Sequence, residues 1–204
     1  MSKTNKKLGF FEILVSQIVI LVVGIVVLQF VAIEWQLWGF SPKVDLLLAL
    51  TAALLTYGVI YMVYLYGGRF SASLLTDMQR LVVHFHDYSW FKISCVALLA
   101  GVGEELLFRI ALQSWLANHV SVYLAICAPA LIFGLLHFLS WAYFIAATLM
   151  GLVFGIAYYL SQSAMLVIAW HAIYDLIALG VIIKYPHLLG LPPRADSNRF
   201  FSDV

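Results

Sequence analysis

The stretch Gly101-Val102-Gly103-Glu104-Glu105-Leu106-Leu107-Phe108-Arg109-Ile110 places two carboxylates and a guanidinium in a segment otherwise apolar enough to lie in a bilayer. An ionisable group at membrane depth costs about 2.5–3.5 kcal/mol on insertion scales, so three so close together demand partners or a task. Composition confirms the setting. Of 204 residues, 64% are hydrophobic and 10% charged, with a mean hydropathy of +1.01, whereas a soluble domain carries roughly 25% charged residues. The chain reads as all-α, a polytopic transmembrane helix bundle of about six membrane spans plus one interfacial amphipathic helix. A formal net charge of +1 with no basic face large enough to track phosphates excludes nucleic acid as a partner.

On the N-terminal side of the charged stretch, an apolar run over residues 10–33 follows Lys3, Lys6 and Lys7. It is long enough to span a bilayer, too long for the apolar region of a cleaved signal peptide, and has no small-residue cleavage site behind it. Trp35, Trp38, Gly39 and Pro42 mark an interfacial loop, and a second peripheral span covers 45–66. In 70–90, apolar Leu74, Met78, Leu81 and Phe85 recur at helical spacing while Asp77, Arg80, His84 and Asp87 take other faces. That pattern describes a helix lying on the membrane surface. His84 and His86, two apart, point to different faces and read as interfacial polar residues.

Four further spans, 91–117, 121–139, 141–160 and 164–183, are joined by very short turns, which makes consecutive helices antiparallel neighbours in one four-helix core over 91–183. Residues 185–204, with Pro186, Pro192 and Pro193, read as a cytoplasmic tail, and the whole chain as a single membrane domain. Six spans put both termini on one side. Lys3, Lys6, Lys7, Arg69, Arg80, Lys92, Lys184, Arg194 and Arg199 fall there against Lys43 alone opposite, so the positive-inside rule makes that side cytoplasmic. A bacterial inner (plasma) membrane is the expected location. Cys95 and Cys127 lie in apolar helical runs without a CxxC pair and read as packing residues.

Inside the last four spans the ionisable groups, apart from the flanking Lys92, are Glu104, Glu105, Arg109, His137, His171 and Asp175. Such groups rarely face lipid, so they are expected to converge in the bundle interior. Glu105 and Arg109 are four apart and share a helix face, in the order that favours an ion pair, whereas Glu104 points about 100° away. Glu105 and Arg109 therefore read as supports, and Glu104 as the carboxylate free to act on water. Phe133 with His137 and His171 with Asp175 repeat the four-residue spacing, and the second pair could surround one substrate oxygen or one metal ion.

Glu104-Glu105-x-x-x-Arg109, Phe133-x-x-x-His137 and His171-x-x-x-Asp175, in this order on successive apolar helices, resemble the CPBP group of intramembrane proteases, which includes CAAX prenyl endopeptidases and bacteriocin-processing or immunity proteins. The resemblance covers roughly residues 91–183. It implies hydrolysis of a peptide bond in a membrane-associated protein or peptide, with Glu104 as general base toward a water, His137 helping to bind or activate that water, and His171 with Asp175 stabilising the oxyanion or completing the site. Many members have Asn at the position of Asp175; an ionised Asp cannot donate a hydrogen bond to an oxyanion as Asn can. The group is named for metalloproteases, and a divalent ion such as zinc at Glu104, His137, His171 and Asp175 stands beside a mechanism without metal. The competing readings are a transporter that relays protons or binds a cation through the same groups, and a non-proteolytic scaffold or immunity protein.

Overall fold

The computed structural model describes residues 9–85 and 87–189, without the side chains of Val83 and His84. The expectations for Lys3, Lys6, Lys7, Arg194 and Arg199, for the facing of His84 and His86, and for most of the tail concern groups outside the described residues. The architecture is an all-α bundle. Its elements are α1 (Phe10–Phe30), α2 (Pro42–Tyr66), α3 (Gly68–Phe85), α4 (Trp90–Glu105), a π-helical segment (Leu106–Gln113), α5 (Ser114–Ala117), α6 (Val122–Leu136), α7 (Trp141–Ser161) and α8 (Ala164–Lys184). Among the described residues the only β pairing is an isolated bridge between Gln36 and Ser163.

Serine sets most of the helix starts. Ser41, Ser89, Ser121, Ser140 and Ser163 precede α2, α4, α6, α7 and α8, and each accepts a hydrogen bond through Oγ from the amide three residues on. Each satisfies an amide that the helix itself leaves unpaired, a contribution of about 1 kcal/mol per cap. Pro42 at the first turn of α2 adds a preset φ. Sequence punctuation of this kind explains why the helices start within a few residues of the expected boundaries.

Four helices, α1, α2, α7 and α8, are long and apolar enough to cross a membrane by length and composition. The α6 helix is shorter, at 15 residues. The expected single α-helix over 91–117 is instead α4, the π-helical segment and α5 in unbroken succession. A π turn bonds i to i+5 and holds an extra residue, which apolar periodicity does not register. The correction matters because the widened turns begin immediately after Glu105.

Small residues allow the close crossings. The α4 helix packs on α8 and α1, α6 on α7, and α2 on α8. A Cβ at Gly101 would lie 2.8 Å from the amide nitrogen and Cβ of Ala172 in α8, and one at Gly151 would lie 3.0 Å from the Ala130 Cα in α6. The outer faces stay apolar, with Phe11, Val19, Leu54 and Leu160 exposed, as expected of helices solvated by lipid. Cys127 shares that outer surface rather than packing inside, the contact with α7 being made at Ala130 and Gly134; Cys95 is half-buried.

The loop between α1 and α2 is tied at both ends. The Gly39 and Phe40 amides donate to Asp45 Oδ2 at 3.2 and 3.3 Å, and the carboxylate is fully buried. The Gln36 and Leu37 carbonyls accept from the Ala164 and Met165 amides at 3.2 and 2.9 Å, so the loop caps the start of α8. At the opposite end α3 is anchored to the α6–α7 turn, where Ser140 Oγ donates to Asp77 Oδ2 at 2.5 Å.

Gly101→Ala should destabilise the protein by about 1–3 kcal/mol, because the new methyl meets α8 backbone that must move. Gly58→Ala, where nothing lies within 4 Å of the added Cβ, should stabilise it by roughly 0.5–1 kcal/mol. Apparent melting temperatures in detergent, moving in opposite directions for the two variants, are the check.

Candidate active site

Glu104 and Glu105 end α4 with 4% and 0% of their surfaces exposed. Adjacent residues on a helix face different ways, and here the two carboxylates meet different partners. Glu105 Oε1 accepts from Arg109 Nη1 at 3.0 Å and pairs with His171 Nδ1 at 2.7 Å. Residues four apart across widened turns come closer to eclipsed than in an α-helix, which stacks Arg109 over Glu105. Glu104 Oε2 instead lies 3.9 Å from His137 Nε2 and 3.8 Å from His171 Nε2.

Arg109 is enclosed. Its guanidinium carbon lies 4.9 Å from the Phe133 ring centroid, 5.4 Å from Phe154 and 5.9 Å from Phe108. Nη2 donates to the Gly151 carbonyl at 3.1 Å, and one turn on Gln113 Nε2 donates to the Gly155 carbonyl at 2.8 Å. Two side chains four apart in the π-helical segment thus reach two glycine carbonyls four apart in α7. A carbonyl has two lone pairs and can accept a second bond beside its helical one.

Each imidazole is oriented through Nδ1. His137 closes α6, and its Nδ1 meets the Phe133 carbonyl at 2.8 Å; a carbonyl only accepts, so Nδ1 carries the proton and a neutral ring offers Nε2 as a lone pair. The ring stacks on Phe133 with centroids 4.3 Å apart. His171 is fixed in the same sense by the Glu105 carboxylate and by stacking on Phe154 at 5.1 Å. Its Nε2 lies 3.5 Å from Asp175 Oδ2 as well as near Glu104. One side of the cluster is open, with the His137 and Asp175 side chains 33% and 25% exposed, while His171 is buried.

The structure therefore gathers Glu104, His137, His171 and Asp175 around one point and sets Glu105, Arg109 and Phe133 behind them. One expectation changes: Glu105 supports His171 as well as Arg109, because His171 enters from α8 on the side of α4 that Arg109 also uses. Phe154 and Gln113 were not anticipated. A lone amide one turn after Arg109 in an apolar span was the available signal for Gln113, whereas Phe154 is indistinguishable from a packing aromatic in the sequence.

As a metal site the arrangement does not fit as it stands. Tetrahedral zinc with bonds near 2.0 Å sets neighbouring ligand atoms about 3.3 Å apart. The paired atoms here are 3.5–3.9 Å apart, and among the described residues no three His, Cys, Asp or Glu side chains are grouped to hold one ion. No step below is routed through a metal.

Residues 86–177 match the family described as type II CAAX prenyl endopeptidase Rce1-like. This is the CPBP and CAAX protease resemblance read from the three motifs, and the matched span includes every residue of the cluster. No curated protein and no solved structure matches the chain. The matched residues make up under half of the chain, and with the apolar helices the match supports an integral membrane protein.

Replacing Arg109 by Met removes the cation and leaves the Glu105 carboxylate buried with His171 alone. Breaking a buried pair in this way costs about 3–5 kcal/mol. Thermal unfolding in detergent should show that loss, and Arg109→Lys, which keeps the charge but not the fork, should recover only part of it.

Proposed function

We propose that the CAAX-type protease pattern across residues 86–177 serves an endopeptidase in which Glu104 activates a water against a peptide bond of a membrane-associated protein or peptide. The observation that carries this reading is the position of Glu104, buried with one carboxylate oxygen within 3.9 Å of two imidazole nitrogens, each turned toward it by a bond at its own Nδ1. Those separations exceed a direct hydrogen bond. A water donating one proton to Glu104 and the other to His137 Nε2 keeps an oxygen lone pair free to attack.

The steps balance within these groups. Glu104 takes a proton as the water oxygen bonds to the peptide carbonyl carbon, and the carbonyl oxygen becomes an oxyanion. The tetrahedral intermediate collapses as the C–N bond breaks, and the proton held by Glu104 passes to the departing amine. His171, held by Glu105, adjoins the reacting centre and with Asp175 completes its wall. Arg109 and His171 share the Glu105 oxygen, which keeps His171 oriented.

An apolar cavity between α2, α3 and α8, lined by Tyr57, Leu74, Met78, Tyr174 and Val181, includes the residue that precedes Asp175 and suits the apolar part of such a substrate. The excess of Lys and Arg on the side of the termini supports a cytoplasmic placement of both termini and of the open end near α3.

Glu104→Gln and His137→Ala, reconstituted in liposomes with a farnesylated CAAX-ending peptide or with a peptide anchored by a transmembrane segment, should lower the cleavage rate by at least about 10³-fold and 10²-fold. Their melting temperatures should stay near that of the parent. Cleavage undiminished in a folded Glu104→Gln protein would sink the protease reading.

A further inference from the structure

One buried carboxylate takes no part in the mechanism above. Asp77 belongs to the polar pattern of α3, yet its side chain is 2% exposed, whereas that of Arg80, three residues on, is 70% exposed. An aspartate withdrawn from water to that degree is tolerated where hydrogen bonds replace the water it has lost. Ser140, the cap of α7, supplies one. Its Oγ accepts from the Tyr143 amide at 3.2 Å and from Ser73 Oγ at 3.5 Å, which uses both lone pairs and leaves its own hydrogen for Asp77 Oδ2 at 2.5 Å. Ser73 precedes Asp77 by one turn on the same face of α3, and Arg80 Nη1 reaches the other Asp77 oxygen at 3.7 Å.

The turn held in this way carries His137. His137 closes α6 and Trp141 begins α7, so Phe138, Leu139 and Ser140 are the whole connection, which keeps the His137 and Ser140 Cα atoms within about 11 Å. The connection has little slack. The Phe138 amide donates to the Leu135 carbonyl at 3.2 Å, and its ring meets Trp141 edge-on with centroids 5.3 Å apart. Alongside it, a Cβ at Gly134 would lie 3.1 Å from the Phe144 carbonyl. The end of α6, the turn and the start of α7 thus form one piece. Among the described residues, its hydrogen bonds to any other element at this end are those of Ser140 with Asp77 and Ser73.

We infer that Asp77 is a positioning residue for the proposed hydrolysis: through Ser140 it fixes the α6–α7 turn, and with it the place of His137 Nε2 opposite Glu104. The inference rests on the protease reading and deepens it. Asp77 precedes the residues that match the family, which begin at 86, so α3 enters the frame of the site from outside the matched span. The 3.9 Å between His137 Nε2 and Glu104 Oε2 leaves room for one shared water, and a misplacement of about 1 Å in such an arrangement costs up to about 10²-fold in rate.

The test is a double-variant cycle on the full chain in liposomes, with whichever of the two peptides the parent cleaves. Asp77→Ala should lower kcat about tenfold with KM within about twofold, because the change reaches the water and not the bound peptide. Asp77→Asn, whose side-chain carbonyl still accepts from Ser140, should recover most of that loss. In a His137→Ala background Asp77→Ala should cost less than about twofold, since the group it places is gone. Ser140→Ala, which leaves Asp77 with Arg80, carries the same cycle if Asp77→Ala does not fold. A second readout needs no cleavage: in protein labelled at histidine, Asp77→Ala should shift the His137 imidazole NMR signals and leave those of His171 in place. Parent-like kcat in folded Asp77→Ala, an equal loss in both backgrounds, unmoved His137 signals, or a faster turnover that makes α3 a gate and not a brace overturns the assignment. Glu104→Gln run alongside separates the failures: if it cleaves like the parent the protease reading falls, and if it is inactive while Asp77→Ala is fully active only the role of Asp77 falls.

Discussion

The arrangement depends on one carboxylate oxygen. Glu105 Oε1 meets both Arg109 at 3.0 Å and His171 at 2.7 Å, so a single atom ties the π-helical segment to α8. In an apolar bundle a charge of this kind is tolerated only when its partners are fixed, and the partners here are fixed by aromatic walls and by α7 carbonyls. The consequence runs outward. With Glu105 committed, the neighbouring Glu104 is left facing two imidazole nitrogens with no cation bonded to it. The sequence Glu-Glu thus becomes two unlike groups through packing alone.

Most of the fold was legible in the sequence. Apolar runs of spanning length, the serines before α2, α4, α6, α7 and α8, and the mixed faces of α3 each carry a local physical signature, and the helices start and end close to where those signatures fall. Part of the cluster was legible for a related reason: Glu104, His137, His171 and Asp175 are conspicuous in helices that can tolerate few polar groups, and the four-residue spacings place pairs on one face. The π-helical segment was not legible, because an extra residue per turn leaves hydrophobic periodicity nearly unchanged over eight positions. The shared role of Glu105 was hidden as well, since it depends on the angle at which α8 crosses α4, and that angle follows from the contact of Gly101 with Ala172.

Two kinds of constraint meet in the molecule. At one end, backbone amides of α8 are closed off by the Gln36 and Leu37 carbonyls, and the buried Asp45 folds the loop that presents them. At the other, α3 lies across the helix ends and is held to Ser140 through Asp77. His137, which closes α6 three residues before Ser140, links the cluster to the second end, and it and Asp175 remain partly exposed.

The widened turns over Leu106–Gln113 also set a phase relation along the chain. Winding the same residues as an ordinary α-helix, with none removed, would rotate everything before them by about 100° relative to Gln113. That is the angle between adjacent residues, so Glu104 and Glu105 would each be turned off the partners they now meet. The widened turns keep the two glutamates in step with their partners, and the winding of this helix is therefore as much a part of the chemistry as the identity of the side chains on it.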